Sequence, residues 1–127
     1  MGTEPITVLV ADDEEDMRVL IRGVLTRHGM KVVEEAIDGV EALTAIDRLN
    51  PPPIPSVLLL DNRMPTMSGL EVAARVLEQV PGQRIILFSA YLTKEIEAEA
   101  KAIGIRACVS KNLVSRLPEV IAQLAAS

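Results

Sequence analysis

The amino-acid sequence predicts an α/β fold in which five parallel strands form a single doubly wound sheet with five helices. Two observations support this prediction. Short apolar runs rich in Val, Ile and Leu alternate with longer stretches whose apolar residues recur at helical spacing. Strands that are apolar on both sides suit a sheet covered by helices on either face. Each connection is also long enough for a right-handed crossover, so we expect the strands to be parallel.

The five predicted strands are apolar runs too short to be helices. They are Ile6–Ala11, Val32–Ile37, Val57–Leu60, Ile85–Ala90 and Arg106–Ser110. Two charged residues, Glu34 and Glu35, interrupt the second run. With five strands connected in this way, the leading arrangement is the flavodoxin-like order 2-1-3-4-5.

The five predicted helices are stretches with an apolar stripe at helical spacing. The stripes are Met17, Leu20, Ile21, Val24 and Leu25; Val40, Leu43, Ile46 and Leu49; Leu70, Ala73, Ala74 and Leu77; Ile96, Ala100 and Ile103; and Val114, Leu117, Ile121 and Leu124. Gly29 and Gly104 lie where helices are expected to end, and the prolines at 51–53 and 55 are expected to stop the second helix. Pro118 is compatible with the last helix only if that helix begins just before it.

Length and composition predict a single domain over residues 1–127 and exclude several classes of protein. The chain has 18 acidic and 13 basic residues, no Trp, one Tyr and one Phe, which argues against direct nucleic-acid binding. Its single Cys excludes an internal disulfide framework and a multi-Cys zinc site. No apolar run approaches the roughly 20 residues of a membrane span, and the start lacks the features of a signal peptide. We therefore expect an acidic, soluble, cytoplasmic domain.

Polar residues follow four of the predicted strands, at the edge of the sheet where this fold binds ligands. Asp12 and Asp13 follow strand 1, and Asp61 follows strand 3. Ser89 and Lys111 lie at the ends of strands 4 and 5. Three carboxylates packed together raise one another's pKa unless a cation joins them, and Mg²⁺ takes oxygen ligands of this kind. We interpret the set as a phosphoryl-transfer site in which Asp61 is the nucleophile and Ser89 and Lys111 hold the transferred group.

Each of these residues also has an ordinary structural explanation. The acidic run 12–16 would suit the start of a helix, and Ser89 and Lys111 taken singly would suit a solvated surface. Asp61 is harder to dismiss, because a carboxylate at the end of a buried strand needs partners. Flavin binding is disfavoured, because five consecutive acids stand where a phosphate-binding loop would be needed. The predicted presence of all these polar residues at one edge of the sheet nevertheless favours a functional site.

The motifs at this edge resemble the receiver domain of two-component response regulators, over essentially the whole chain. The matching pieces are VLVADDEEDMR at 8–18, LLLDNRMPTMSGLE at 58–71, ILFSA at 86–90 and VSK at 109–111. They occur in the family's order and spacing. The segment after Asp61, with Met64-Pro65, Met67 and Gly69, is the most specific of them.

The resemblance implies a phosphoryl donor and a metal. A histidine kinase or a histidine phosphotransfer protein would phosphorylate Asp61. By the family's pattern, Asp13 and Asp61 would bind Mg²⁺ directly, Asp12 would act through water, and the backbone carbonyl of Arg63 would be a further ligand. The domain would assist its own phosphorylation and dephosphorylation without being an enzyme.

The resemblance also implies how the phosphoryl group is held and how the signal leaves the domain. Ser89 would hydrogen-bond the phosphoryl group and Lys111 would pair with it. Phosphorylation would then change the face built from helix 4, strand 5 and helix 5, which controls a partner or a homodimer.

The sequence departs from the family's pattern at three places. Cys108 stands where an aromatic switch residue is common, so the usual coupling of that residue to Ser89 is altered. Asn112 follows the lysine where proline is common, which predicts a trans peptide. Arg63 and Tyr91 occupy positions that tune the lifetime of the aspartyl phosphate, and their bulk predicts slow self-dephosphorylation. Cys108 itself is expected to be a small buried hydrophobic residue.

Two other functions remain open at this point. The altered residues Cys108 and Asn112 favour a phosphorylation-independent interaction module that uses the same face. A magnesium-dependent phosphatase with an aspartate nucleophile is disfavoured, because Arg63 stands where a general acid would be expected. The chain is expected to be either a stand-alone receiver or a piece of a longer regulator.

Overall fold

A computed structural model describes residues 4–49 and 55–126, and within them strands and helices alternate along the chain. The strands are β1 Thr7–Ala11, β2 Lys31–Ala36, β3 Val57–Leu60, β4 Arg84–Ser89 and β5 Ala107–Ser110. The helices are α1 Glu15–Arg27, α2 Gly39–Arg48, α3 Gly69–Gln79, α4 Lys94–Ile103 and α5 Leu117–Ala126. The strands form one sheet in the order β2-β1-β3-β4-β5. The predicted fold class and the flavodoxin-like order are both confirmed.

All four strand pairings are parallel, which aligns the carboxyl ends of the strands along one edge. Ala11 of β1 pairs with Leu60 of β3, and Leu60 pairs with Leu87 of β4. The backbone N–H of Asp61 continues this ladder by donating to the carbonyl oxygen of Ala11 at 2.9 Å. As a result, the residues that follow β1 and β3 leave the sheet side by side.

Apolar side chains fill both faces of the sheet, as expected for parallel strands covered by helices. On one face the sheet packs against α2, α3 and α4, and on the other face it packs against α1 and α5. Leu58 and Leu60 point to the first layer, whereas Val57 and Leu59 point to the second. Among the described residues, no helix is long and apolar enough to span a membrane.

The two edge strands are less buried than the sequence pattern suggested. In β2, the stretch from 32 to 35 is only partly buried, and its two glutamates make ion pairs with neighbouring helices. Glu34 pairs with Arg48 at 3.0 Å, and Glu35 pairs with Arg18 at 3.4 Å. Cys108 on β5 is likewise partly rather than fully buried. Charged and polar side chains suit an edge strand, because one side of its ladder has no neighbouring strand.

The last predicted helix is divided into two pieces. A 3₁₀ segment spans Lys111–Arg116, with non-helical dihedral angles at Leu113, and α5 begins at Leu117. Val114 therefore belongs to the 3₁₀ segment and not to α5. The helix begins one residue before Pro118, as the sequence required, because proline has no N–H to donate but fits the first turn. The prolines at 51–53, predicted to stop the second helix, lie outside the described residues.

A capping box starts α3 directly after the loop that follows β3. The hydroxyl of Ser68 accepts a hydrogen bond from the backbone N–H of Glu71 at 3.1 Å, and the Glu71 carboxylate accepts one from the backbone N–H of Ser68 at 3.0 Å. Ser68→Ala removes the first bond, so we expect it to lower the free energy of unfolding by about 1 kcal/mol. Urea denaturation measures this change. The exposed Thr26→Ala on α1 is the control and should stay within about 0.5 kcal/mol of wild type; equal effects would contradict the capping role.

Candidate functional site

Three carboxylates converge at the carboxyl edge of the sheet. Asp12 follows β1 and is 1% exposed, and Asp61 follows β3 and is 4% exposed. Asp13 is exposed beside them. One ligand oxygen from each of the three lies within 4.8 Å of the others. The structure therefore brings together the acids that the strand order predicted to be neighbours.

Lys111 supplies the positive charge of this site from the far end of β5. Its side chain is only 10% exposed. The ammonium lies 2.8 Å from Oδ2 of Asp12, 3.1 Å from Oδ2 of Asp61 and 3.1 Å from Oε1 of Glu14. A lysine side chain thus spans the two strand spacings that separate β5 from β3, as expected from the sheet geometry.

The environment changes the pKa values of Asp61 and Lys111. Burial raises the pKa of Asp61, and the neighbouring charge of Asp12 raises it further. The hydrogen bond from Lys111 opposes this change, and so does the 3.3 Å bond from the backbone N–H of Arg63. Burial alone would lower the pKa of Lys111, but its bonds to Asp12, Glu14 and Asp61 outweigh burial and raise it. The lysine is therefore held as a cation.

The donor set fits a small divalent cation. Asp12, Asp13 and Asp61 offer carboxylate oxygens, which are the ligands that Mg²⁺ prefers in proteins. The ammonium of Lys111 contacts the carboxylates of Asp12, Glu14 and Asp61, and Asp13 lies beside the other two aspartates, so these five side chains together carry an excess of negative charge. A second cation would offset the repulsion that raises the pKa of Asp61.

A pocket opens above Asp61 and collects the predicted phosphoryl-binding residues. It is lined by Asp13, Glu14, Asp61, Arg63, Ser89, Ala90, Tyr91 and Lys111. Ser89 ends β4 and is fully buried, and its hydroxyl accepts a hydrogen bond from the backbone N–H of Tyr91 at 3.3 Å. The pocket therefore presents a carboxylate, a hydroxyl and an ammonium to one shared space.

Arg63 and Tyr91 stack on each other at the rim of the pocket. The guanidinium carbon of Arg63 lies 4.1 Å from the centroid of the Tyr91 ring, which is a cation–π geometry. Tyr91 is 59% exposed, so the ring stands at the mouth of the pocket and not within the core. These two side chains narrow the approach to Asp61 from solvent.

The structure places Cys108 and Glu14 in surroundings that the sequence pattern did not indicate. Cys108 is not among the residues that line the pocket, because it lies within β5 opposite Leu87. Burial raises the pKa of its thiol, and the charge of Glu97 raises it further. Glu14 contacts Lys111 across 97 positions of the chain, yet the sequence marked it only as one acid in the run 12–16. No local signal distinguishes Glu14 from its acidic neighbours.

Comparisons with known proteins agree on one family. The family model described as the response regulator receiver domain matches residues 8–122. The chain is 33% identical over 122 residues to protein-glutamate methylesterase/protein-glutamine glutaminase 4 of Myxococcus xanthus, covering 94% of this chain and 33% of that protein. It is 33% identical over 85 residues to the chemotaxis protein CheY of Listeria monocytogenes, covering 67% of this chain and 68% of that protein.

Solved structures share the whole fold. The signal receiver domain of the response regulator NarL from Mycobacterium tuberculosis superposes with a TM-score of 0.88 and 31% sequence identity, covering 98% of this chain and 99% of that chain. The methylesterase relatives are much longer proteins. The chain spans only between 23% and 33% of the length of four of them. The likeness therefore concerns one domain of those proteins.

Proposed function

Because the chain belongs to the family of response regulator receiver domains, we propose that it accepts a phosphoryl group on Asp61 from a histidine kinase or a histidine phosphotransfer protein. The observation that carries the proposal is the buried Asp61 carboxylate, which lies between two further aspartates and the ammonium of Lys111. The proposed receiver domain spans residues 1–127, and it acts as a signalling module rather than an enzyme.

The transfer uses the groups that line the pocket. A carboxylate oxygen of Asp61 forms a bond to phosphorus, while the bond from phosphorus to the imidazole nitrogen of the donor breaks and that nitrogen keeps the electron pair. Bound Mg²⁺, held by Asp12, Asp13, Asp61 and the backbone carbonyl of Arg63, would offset negative charge on the phosphoryl oxygens. The hydrogen bonds from Lys111 and from the backbone N–H of Arg63 orient the nucleophile and favour its ionised form, against the effect of burial.

Ser89 and Lys111 hold the product of the transfer. The buried hydroxyl of Ser89 can donate a hydrogen bond to a phosphoryl oxygen, and the ammonium of Lys111 can pair with another. Because Lys111 already contacts Asp61 at 3.1 Å, only a small movement is needed to follow the new charge. Since Lys111 begins the segment that follows β5, charge-assisted bonds of this kind would act on that segment.

The output of the domain is proposed to be the face built from α4, β5 and α5. A partner or a second copy of the chain would bind there when Asp61 is phosphorylated, and the domain itself would not bind nucleic acid. Cys108 on β5 replaces the aromatic residue that commonly works with Ser89, so a different part of this face must report phosphorylation. If partner binding proves independent of phosphorylation, the chain is instead a constitutive interaction module.

Phosphoryl incorporation tests the proposed function directly. The purified chain is incubated with a small acyl phosphate and Mg²⁺, and its mass is compared before and after. We expect one phosphoryl group per chain, and no incorporation when a chelator removes divalent cations. A chain that stays unmodified with Mg²⁺ and donor in excess would contradict the proposal.

The Arg63–Tyr91 pair is expected to slow the loss of the phosphoryl group. Water must reach the phosphorus through the mouth that these side chains narrow, so Tyr91→Ala should hasten dephosphorylation by about two- to fivefold, the size of an exposed cation–π pair. The decay of the phosphorylated mass after donor removal measures the rate. Tyr91→Phe keeps the ring and should decay like wild type. A Tyr91→Ala rate equal to wild type would refute this role.

A further inference from the structure

Glu14 stands at the start of α1 without serving as its cap. It occupies the N-cap position, but its side chain makes no capping hydrogen bond. Its backbone N–H donates instead to Oδ1 of Asp12 at 2.9 Å. The carboxylate, which is 65% exposed, turns toward the pocket and lies 3.1 Å from the ammonium of Lys111. The residue therefore belongs to the charge network of the pocket and contributes no side-chain cap to α1.

The ammonium of Lys111 shares its charge among three carboxylates of different kinds. Asp12 and Asp61 belong to the group of acids that fits a divalent cation, whereas Glu14 lies outside that group. A cation and an ammonium repel each other, so each weakens the other's contact with the two aspartates that they share. The contact with Glu14 is the one of the three that does not compete with a cation bound to the aspartates.

We propose that Glu14 is a positioning residue, which retains the ammonium of Lys111 beside the pocket while a divalent cation binds to the aspartates. The inference rests on the proposed Mg²⁺ site. Without Glu14, Lys111 would have only the two buried aspartates as partners in the pocket and would compete with the cation for them. Glu14 thus favours cation binding and leaves the lysine near Asp61, where a phosphoryl group would be formed.

A simple contribution of negative charge is the alternative that must be separated from this role. Glu15 is the next residue of the chain, carries the same charge and is exposed at the first turn of α1. It makes none of the hydrogen bonds or ion pairs described for Lys111. Glu15→Gln is therefore a matched control, because it removes one charge near the same helix start without removing a partner of the lysine.

Titration with Mg²⁺ in the absence of any phosphoryl donor tests the proposal. The fluorescence of Tyr91 reports the site, because the chain has one Tyr and no Trp. We expect Glu14→Gln to weaken Mg²⁺ binding by about fivefold and Glu15→Gln to change it by less than about twofold, as for loss and retention of one ion pair. Equal weakening in the two variants, or a wild-type chain that does not bind Mg²⁺, would overturn the proposal.

The lysine can also be observed directly. The chain has four lysines, so the side-chain methylene signals of a ¹³C-lysine-labelled sample can be resolved, and Lys111→Arg identifies the relevant one. At saturating Mg²⁺, we expect the Lys111 signal to stay restrained in wild type and to resemble a solvated lysine in Glu14→Gln. A solvated Lys111 in wild type would refute the retention by Glu14.

The two proposals fail separately in these measurements. If the chain gains a phosphoryl group but Glu14→Gln binds Mg²⁺ like Glu15→Gln, the phosphoacceptor function stands and the role of Glu14 is lost. If Glu14→Gln selectively weakens Mg²⁺ binding but no phosphoryl group is gained, the role of Glu14 stands and the phosphoacceptor function is lost.

Discussion

Asp61→Asn is expected to abolish phosphoryl incorporation from a small acyl phosphate in the presence of Mg²⁺. An amide has nearly the shape of the carboxylate but lacks the anionic oxygen that must form the bond to phosphorus. The variant should remain folded. Since burial raises the pKa of Asp61, its ionised form is less favourable in the folded chain than in the unfolded chain, and a neutral amide avoids that cost.

Mass measurement after incubation shows the difference between wild type and variant. Asp47→Asn, an exposed aspartate on α2 outside the pocket, is the control and should accept the phosphoryl group like wild type. Urea denaturation confirms that both variants are folded. If Asp61→Asn gains the group as readily as wild type, the phosphoacceptor is another residue.

Gly69→Ala is expected to cause the largest loss of stability among the substitutions considered for this chain. Gly69 is the first residue of α3, and a Cβ atom there would lie 2.5 Å from the carbonyl oxygen of Asp61 and 3.0 Å from its carbonyl carbon. The same Cβ atom would also lie 3.0 Å from Cδ1 of Leu87. Because the clash is with backbone, α3 must shift away from the sheet, at a cost of about 3 kcal/mol.

The free energy of unfolding in urea measures this cost, and Gly23→Ala provides the opposite control. Gly23 lies within α1, and an added Cβ would meet nothing within 4 Å. Alanine is favoured over glycine in a helix, so this variant should gain about 0.5–1 kcal/mol. A Gly69→Ala chain as stable as wild type would show that α3 is not tightly packed against the backbone of Asp61.

The Gly69 contact also links fold and site. The helix α3 begins against the carbonyl group of Asp61, so a shift of the start of this helix changes the packing around Asp61. We therefore expect Gly69→Ala to reduce phosphoryl incorporation as well as stability, which the same mass measurement detects. The most specific sequence motif, the segment from Asp61 to Gly69, thus also contains a position where packing leaves no room for a side chain.

The local pattern was sufficient to predict the strands, the helices and their order along the chain, because each element depends on residues that are close in sequence. Apolar runs of four to six residues became β1 to β5, and stripes at helical spacing became the helices. The parallel crossover then placed the ends of β1 and β3 side by side, so the proximity of Asp12 and Asp61 followed from topology alone. The separate 3₁₀ segment before α5 was not predicted, since its break at Leu113 carries no marker residue.

The sequence alone was therefore enough to predict the fold class and the edge of the sheet at which the polar residues gather. The contacts of Glu14 with Lys111 and of Arg63 with Tyr91 emerge only in the folded chain. Such contacts join residues far apart along the chain, where a difference of a few ångströms in position, or one rotamer, makes or breaks an ion pair. Periodicity carries no information at that scale, so the pairing of Glu14 with Lys111 depends on how α1 and β5 pack in three dimensions.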